Sequence, residues 1–249
     1  MIKLTFLGTA SAVANQTHQN SHFILETGDR TIMVDCVGSP ITRLDQAGID
    51  PLKITDLILT HFHPDHVSGV PLLLMDLWLM GRKKPLAIYG LAQVIDQVKG
   101  LMALFNWQTW DGFYDVQFIP LPSEKALLVL EDQALTIHAA LLCHMVPSIG
   151  IKFQAPEGVI TYSSDTSPCD ALVQLAKGSD ILIHEATGEG KGHSSPEEAG
   201  IMADKAGVGT LYLIHYPPEC DPDEWVTRAK KHFSGRVVMA QDLMTIVLL

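Results

Sequence analysis

The sequence predicts an α/β fold in which two mixed β-sheets pack face to face and helices cover the outside. Three observations lead there. Strand-like apolar runs dominate both halves of the chain, and each half closes with strands separated by helices. Hydrophobic residues make up 47% of the 249 positions, enough for a large core. Two sheets with a helical cover bury all of these segments at once. At this length the chain reads as one domain, 1–249, with no linker, repeat or low-complexity stretch to divide it.

The elements follow in order. Alternation near the N-terminus predicts a strand over Lys3–Leu7, and His22–Glu26, Thr31–Cys36 and Asp56–Thr60 continue as strands. A helix is expected to start just after His66 and run to about Met80. Leu86–Tyr89 reads as a strand and Ala92–Phe105 as a helix. Strand signals return at Val116–Ile119, Leu135–Leu141, Gly150–Phe153, Val159–Ser163, Ile181–His184 and Leu211–His215. Helices fit Pro168–Lys177, Pro196–Ala206 and Pro222–His232. Ser167 and Ser195 stand as N-caps before Pro168 and Pro196, where a proline's missing N–H costs no hydrogen bond. Val237–Ala240 and Thr245–Leu248 close the chain as strands.

Charge and cysteine usage exclude several functions. A net charge of -11 argues against a broad nucleic-acid footprint, although bound ions can still grip a single phosphate. The one basic run, Arg82-Lys83-Lys84, reads as a solvated loop ahead of a phosphate contact. Cys36, Cys143, Cys169 and Cys220 are scattered without a CxxC and read as reduced, structural thiols of a cytoplasmic protein. The N-terminal segment lacks a basic start followed by an apolar run. The longest apolar stretch, around Val70 to Met80, is broken by Asp76 and too short to cross a membrane.

The chemistry concentrates in His61-Phe62-His63-Pro64-Asp65-His66, directly after the apolar run Leu57–Leu59. Three imidazoles and a carboxylate in six residues point to metal, and their spacing favours two ions over one. His61 and His63, two apart, reach one centre from an extended turn, while Asp65 and His66 address a second. Imidazole and carboxylate suit zinc, iron or manganese. A His-rich surface turn is the alternative, and the second half of the chain speaks against it. His144, Asp165, His184 and His215 all fall at the carboxyl ends of apolar strands. A two-metal site needs about six or seven protein ligands with one bridging carboxylate. His61, His63 and His144 make one set, and Asp65, His66 and His215 the other. Asp165 is the natural bridge, leaving room for a bridging hydroxide as nucleophile.

This pattern resembles the metallo-β-lactamase superfamily over essentially the whole chain, and within it the ribonuclease Z branch. The supporting residues are Phe6-Leu7-Gly8-Thr9, Asp35-Cys36, His144-x-x-x-Ser148-x-Gly150, Ser164-Asp165-Thr166, His184-Glu185-Ala186-Thr187 and His193-Ser194-Ser195. The resemblance implies a four-layer αββα sandwich, two divalent ions with zinc favoured over manganese or iron, and a metal-dependent hydrolase. It further implies that Glu185 orients and charges His193, which serves the leaving oxygen. Asp65 gains a second role in steering the nucleophilic water, and Asp35 holds a histidine of the loop. His184 stays outside the metal set, as a partner of the His193 loop or a packed strand-end residue.

The chain departs from that branch in ways that bear on substrate. Only twenty residues separate His144 from Asp165, which leaves no room for a tRNA-gripping arm there. Val37-Gly38-Ser39-Pro40 replaces the Gly-Glu-Gly-Thr expected after Asp35-Cys36, and Glu219-Cys220 stands near where Arg-Tyr is expected. A dinuclear-zinc phosphodiesterase acting on a small phosphodiester is therefore the leading expectation. A tRNA 3′-end endonuclease, and a lactone, thioester or aryl sulfate hydrolase, are the alternatives. A non-hydrolytic di-iron scaffold ranks last, because His66 is present. The aromatic segment from Trp78 to Tyr114 is expected to wall the pocket, form a homodimer contact or pack against the sheet. His18 and His22 are secondary candidates for lining the site.

Overall fold

The computed structural model describes residues 1–124 and 126–249. The first half runs β1 (Ile2–Gly8), β2 (His22–Thr27), β3 (Arg30–Val34), α1 (Pro40–Gln46), β4 (Asp56–Ile58), α2 (Pro64–Val67), α3 (Val70–Leu79), β5 (Leu86–Leu91), α4 (Ala92–Ala103) and β6 (Val116–Leu121). The second half runs β7 (Leu127–Glu131), β8 (Thr136–Leu142), β9 (Ser148–Ala155), β10 (Gly158–Tyr162), α5 (Asp170–Ala176), β11 (Ile181–Glu185), α6 (Pro196–Ala206), β12 (Thr210–Ile214), α7 (Pro222–Lys230), β13 (Arg236–Met239) and β14 (Thr245–Leu248).

Two seven-stranded mixed sheets result, ordered β14-β1-β2-β3-β4-β5-β6 and β13-β12-β11-β10-β9-β8-β7. Their inner faces share one core, where Phe23 of the first sheet meets Phe153 and Tyr162 of the second edge-on, at 6.2 and 5.1 Å between ring centres. Leu73, Leu74 and Leu77 of α3, with Val94, Ile95, Val98 and Met102 of α4, cover the first sheet. A second cluster seals α5, α6 and α7 over the other sheet through Leu172, Met202, Ala203 and Ala229. The order is helix, sheet, sheet, helix, as the sequence predicts. No helix is long and apolar enough to cross a membrane among the described residues.

The differences from expectation are informative. The helix expected after His66 is two helices, broken at Ser68 and Gly69. Gly69 lies against the backbone of Val37, where a Cβ would come within 2.8 Å of the Val37 carbonyl carbon. Its N–H donates to Cys36 O at 2.9 Å, and the Cys36 N–H donates to His66 O at 2.8 Å. That clamp holds the histidine loop against the end of β3, and a continuous helix would destroy it. Helix α5 starts at Asp170 with Cys169 as N-cap, so Ser167 and Pro168 precede it. By contrast, α6 starts at Pro196 behind a full capping box. Ser195 Oγ accepts from the Glu198 N–H, Glu198 Oε2 accepts from the Ser195 N–H, and Gly207 ends the helix at φ 70°.

Candidate metal centre

Residues from both sheets meet where their strands end. The His61–His66 loop leaves β4, while His144 follows β8, Asp165 follows β10, Glu185 ends β11 and His215 follows β12. Three groups of ligand-capable atoms form, each with its atoms within 4.8 Å of one another: His61, His63, His144 and Asp165; Asp65, His66 and His215; and Asp165, His193 and His215. Asp165 joins them. Its Oδ2 lies 3.9 Å from both His61 Nε2 and His144 Nε2, and its Oδ1 lies 3.5 Å from His66 Nε2 and 3.4 Å from His215 Nε2. Asp65 Oδ2 is 3.5 Å from His215 Nε2 and 3.7 Å from His66 Nε2. Ligands about 2.0 to 2.2 Å from one tetrahedral ion stand roughly 3.3 Å apart, so this spacing suits coordination.

Neighbouring groups fix which nitrogen each histidine presents. His66 Nδ1 donates to Asp35 Oδ2 at 2.7 Å, and His144 Nδ1 donates to Gly192 O at 2.6 Å. Thr187 Oγ1 gives its proton to the His215 carbonyl at 2.8 Å and so accepts from His215 Nδ1, also at 2.8 Å. Thr60 Oγ1 likewise donates to Asp35 and accepts from His61 Nδ1 at 3.0 Å. All four rings thus turn an Nε2 lone pair inward, while His63 presents Nδ1, 3.0 Å from His61 Nε2 and 3.2 Å from His144 Nε2. His66 Nε2, His215 Nε2 and Asp165 Oδ1 are buried without a hydrogen-bond partner among the described residues. Unpartnered buried polar atoms are costly. Three that converge fit a divalent cation.

Electrostatics divide the histidines: burial pulls His66 down, but Asp165 and Asp35 more than offset this and hold it well above the usual imidazole range. Burial holds His61 well below the usual imidazole range, aided by His66, so it is neutral and can coordinate. Burial pushes the Asp165 carboxyl up, but His215 and His66 more than offset this and hold it well below the carboxylate range. Three non-glycine residues here adopt left-handed backbone: Asp35 at φ 58°, Ser164 at 51° and His215 at 54°. Each such residue costs on the order of 1 kcal/mol, and each turns a functional side chain, or the residue before one, off the end of a strand.

Glu185 and His193 form a separate pair beside the centre. Glu185 is fully buried and accepts from the N–H groups of Thr166, Thr187 and Ser194 at 3.2, 2.9 and 3.0 Å. His193 Nδ1 donates to Glu185 Oε1 at 3.1 Å, and this bond raises the His193 pKa above its ordinary value. The ring stacks on His215 at 5.8 Å between centres. His193 is held by Glu185 and faces the metal groups.

Other sequence candidates fall outside the centre. His184 is buried, with Nδ1 donating to Glu185 O at 2.6 Å. His18 packs edge-on against Tyr216 at 5.8 Å. His22 is buried in β2, with Nδ1 donating to Asn20 O at 2.8 Å, and burial pulls its pKa down to about 4. Arg82 is no solvated loop residue: it is buried and donates to the carbonyls of Ile54, Lys84 and Pro85. The aromatic segment packs mostly on itself, with Trp78 and Trp110 stacked at 5.2 Å and Phe113 against Trp107. A cavity of about 250 Å³ is lined instead by Phe62, Gln93, Gln97, Val146 and Pro147. Sequence reasoning missed Thr60, Thr187 and Gly192, whose roles are set entirely by tertiary contact.

Fold and donor set together define a metal-dependent hydrolase of the metallo-β-lactamase superfamily, in its ribonuclease Z-like branch. The chain belongs to the family described as Anti-Pycsar protein Apyc1, whose model matches residues 2–239. It is similar to the Ribonuclease Z of Methanothermobacter thermautotrophicus, 26% identical over 303 aligned positions that cover 99% of this chain and 96% of the relative. The Ribonuclease Z of Mycobacterium bovis is 28% identical, over 98% of this chain and 97% of that one. Among solved structures, the human short-form tRNase Z superposes with a TM-score of 0.82 at 25% identity, covering 99% of each chain. The Bacillus subtilis metallo-β-lactamase fold protein YhfI superposes at 0.85 with 24% identity, covering 98% of each.

Two outcomes are expected. Replacing Asp35 with Ala frees the His66 ring and should weaken metal affinity about 10- to 100-fold, measured by competition with a chromophoric chelator. Unchanged affinity would remove Asp35 from the orienting set. For His22, the folded pKa near 4 lies below the unfolded 6.5, so the unfolded chain binds the extra proton between those values. Its stabilising effect is present above pH 6.5 and is lost as pH falls towards 4, by about 3 kcal/mol in all. Urea unfolding at pH 7 and pH 4.5 should show a smaller acid loss in His22→Gln than in the parent, and equal losses would contradict it.

Proposed function

We propose that the chain hydrolyses a small phosphodiester with two divalent ions, zinc in the first place. Asp165, with one oxygen towards each histidine group, is the observation that carries this reading. In it, His61, His63 and His144 would hold one ion and Asp65, His66 and His215 the other, with Asp165 shared between the two groups. When bound, the ions supply a water of lowered pKa and positive charge for the non-bridging phosphoryl oxygens.

The chain's own groups supply the rest. The buried acceptors around Thr60, Asp35, Thr187 and Gly192 keep the imidazoles from turning, so the site is organised before substrate arrives. Asp65, half-buried beside His215, would accept a hydrogen bond from the attacking water and orient it. Glu185 accepts the His193 Nδ1 proton and so favours the protonated ring, whose Nε2–H would donate to the leaving alkoxide.

Support for a small substrate comes from the hairpin of β9 and β10, which occupies the whole interval between His144 and Asp165. The net charge of -11 points the same way. A tRNA 3′-end endonuclease is the second reading, favoured by the Ribonuclease Z relatives. The cytoplasm is the proposed compartment. A homodimer is part of the proposal, resting on exposed Leu72 and Leu79 of α3 and on Leu104 and Phe105 beyond α4.

The test combines metal analysis with rates on an aryl phosphodiester, an alkyl phosphodiester, a lactone, a thioester, an aryl sulfate and a tRNA precursor. Phosphodiesters should turn over fastest, and chelation should abolish the rate until metal is restored. His193→Ala should keep its metal and lose about 100-fold or more on the alkyl leaving group, with little loss on an aryl group that needs no proton. Full turnover of the alkyl diester by that variant would sink the proton-donor role. Competitive cleavage of the precursor would favour the nuclease.

A further inference from the structure

A pair of thiols beside the centre has no part in the reaction described above. Cys143 immediately precedes His144 and is exposed, and Cys169 is the half-buried N-cap of α5. They are distant in sequence, yet an isolated antiparallel bridge between Cys143 and Ser167 lays their segments side by side, with the Ser167 N–H donating to Cys143 O at 2.8 Å. In antiparallel pairing, the residue two positions on lies diagonally across on the same face, which puts Cys169 next to Cys143. Thr166 sits between them. Its Oγ1 accepts from the Cys143 N–H at 3.1 Å and lies 3.7 Å from Cys169 Sγ.

The same turn is keyed to the catalytic groups on both sides. The Thr166 N–H donates to Glu185 Oε1 at 3.2 Å, and its carbonyl accepts from Ser194 Oγ at 2.7 Å, next to His193. Ser167 Oγ accepts from the Gly192 N–H at 3.0 Å, and the Gly192 carbonyl is the acceptor that fixes His144. Asp165 is one residue away. A covalent bond across Cys143 and Cys169 would draw the sulfurs to about 2.05 Å and remove the Thr166 hydroxyl from between the two segments.

We propose that Cys143 and Cys169 form a reversible disulfide site, closed by a low-molecular-weight disulfide such as oxidised glutathione, and that closure lowers turnover at the adjacent centre. One thiolate attacks the glutathione disulfide and releases one glutathione thiol. The second protein thiol then displaces the other glutathione. One protein S–S bond forms and one glutathione S–S bond breaks. Two electrons and two protons pass from the protein to the two glutathione thiols. The effect on turnover rests on the hydrolase reading, whereas the bond itself does not.

The metal-loaded full chain is incubated with oxidised glutathione, blocked with N-ethylmaleimide, digested with trypsin and mapped without reduction. The expected product is a peptide pair joined through Cys143 and Cys169, two hydrogens lighter than the separate peptides. Turnover should fall about tenfold or more as that product accumulates, because small displacements of catalytic groups are costly, and dithiothreitol should restore it. Cys143→Ser and Cys169→Ser should each lose both the cross-link and the inhibition, while Cys220→Ser keeps both. Glutathione adducts at these positions without a cross-link would overturn the site, and a cross-link with unchanged turnover would overturn its control of the centre. Should the reduced protein hydrolyse no ester at all, the hydrolase reading fails, and the peptide map alone decides the thiol pair.

Discussion

The carboxylate of Asp165 has almost no access to water, and much of the surrounding structure answers to that. An anion taken out of water is expensive unless it is paired on every side. Here one oxygen faces His61 and His144 from two different loops, and the other faces His66 and His215. No single sheet can meet that demand. His61 and His66 stand at the end of a strand in the first sheet, whereas His144 and His215 come from the second. Packing the two sheets against each other is therefore also what assembles the centre. The apolar contact of Phe23 with Phe153 and Tyr162 holds together the two banks of ligands.

Around the ligands runs a ring of small acceptors that do no chemistry. Asp35 takes hydrogen bonds from Thr60 and His66 at once, and so ties the loop's orientation to the end of β3. Thr187 and Gly192 do the same for His215 and His144 from the segment between β11 and α6. That segment also carries His193, and the capping box of α6 fixes its downstream end. In the proposed reaction, one stretch of chain would thus control both ligand orientation and proton delivery.

The legible parts were those with local causes. His61–His66 announces itself because four ligand-capable side chains fall within six residues, and α6 is readable because Ser195, Pro196, Glu198 and Gly207 carry its boundaries. Asp35 and the Glu185–His193 pair were accessible only through resemblance to a family. Nothing local marks Thr60, Thr187 or Gly192, since a hydroxyl or a carbonyl becomes an orienting group only when a distant histidine arrives. The break between α2 and α3 was hidden for a similar reason. Its cause is the backbone of Val37 pressed against Gly69, a contact between segments far apart in the chain. Helix α1 and strand β7 lacked strong periodicity, and the buried Arg82 looked like part of a basic loop.

The placement of β14 carries a consequence for biosynthesis. This strand pairs with β1 in the first sheet, although the segments before it built the second. During translation, the histidine loop emerges long before Asp165 and His215, and residues 245–248 follow later still. The nascent first half waits with β1 unpaired along one edge, a state prone to wrong strand pairing. Until residues 245–248 pair with β1, that edge of the first sheet stays open.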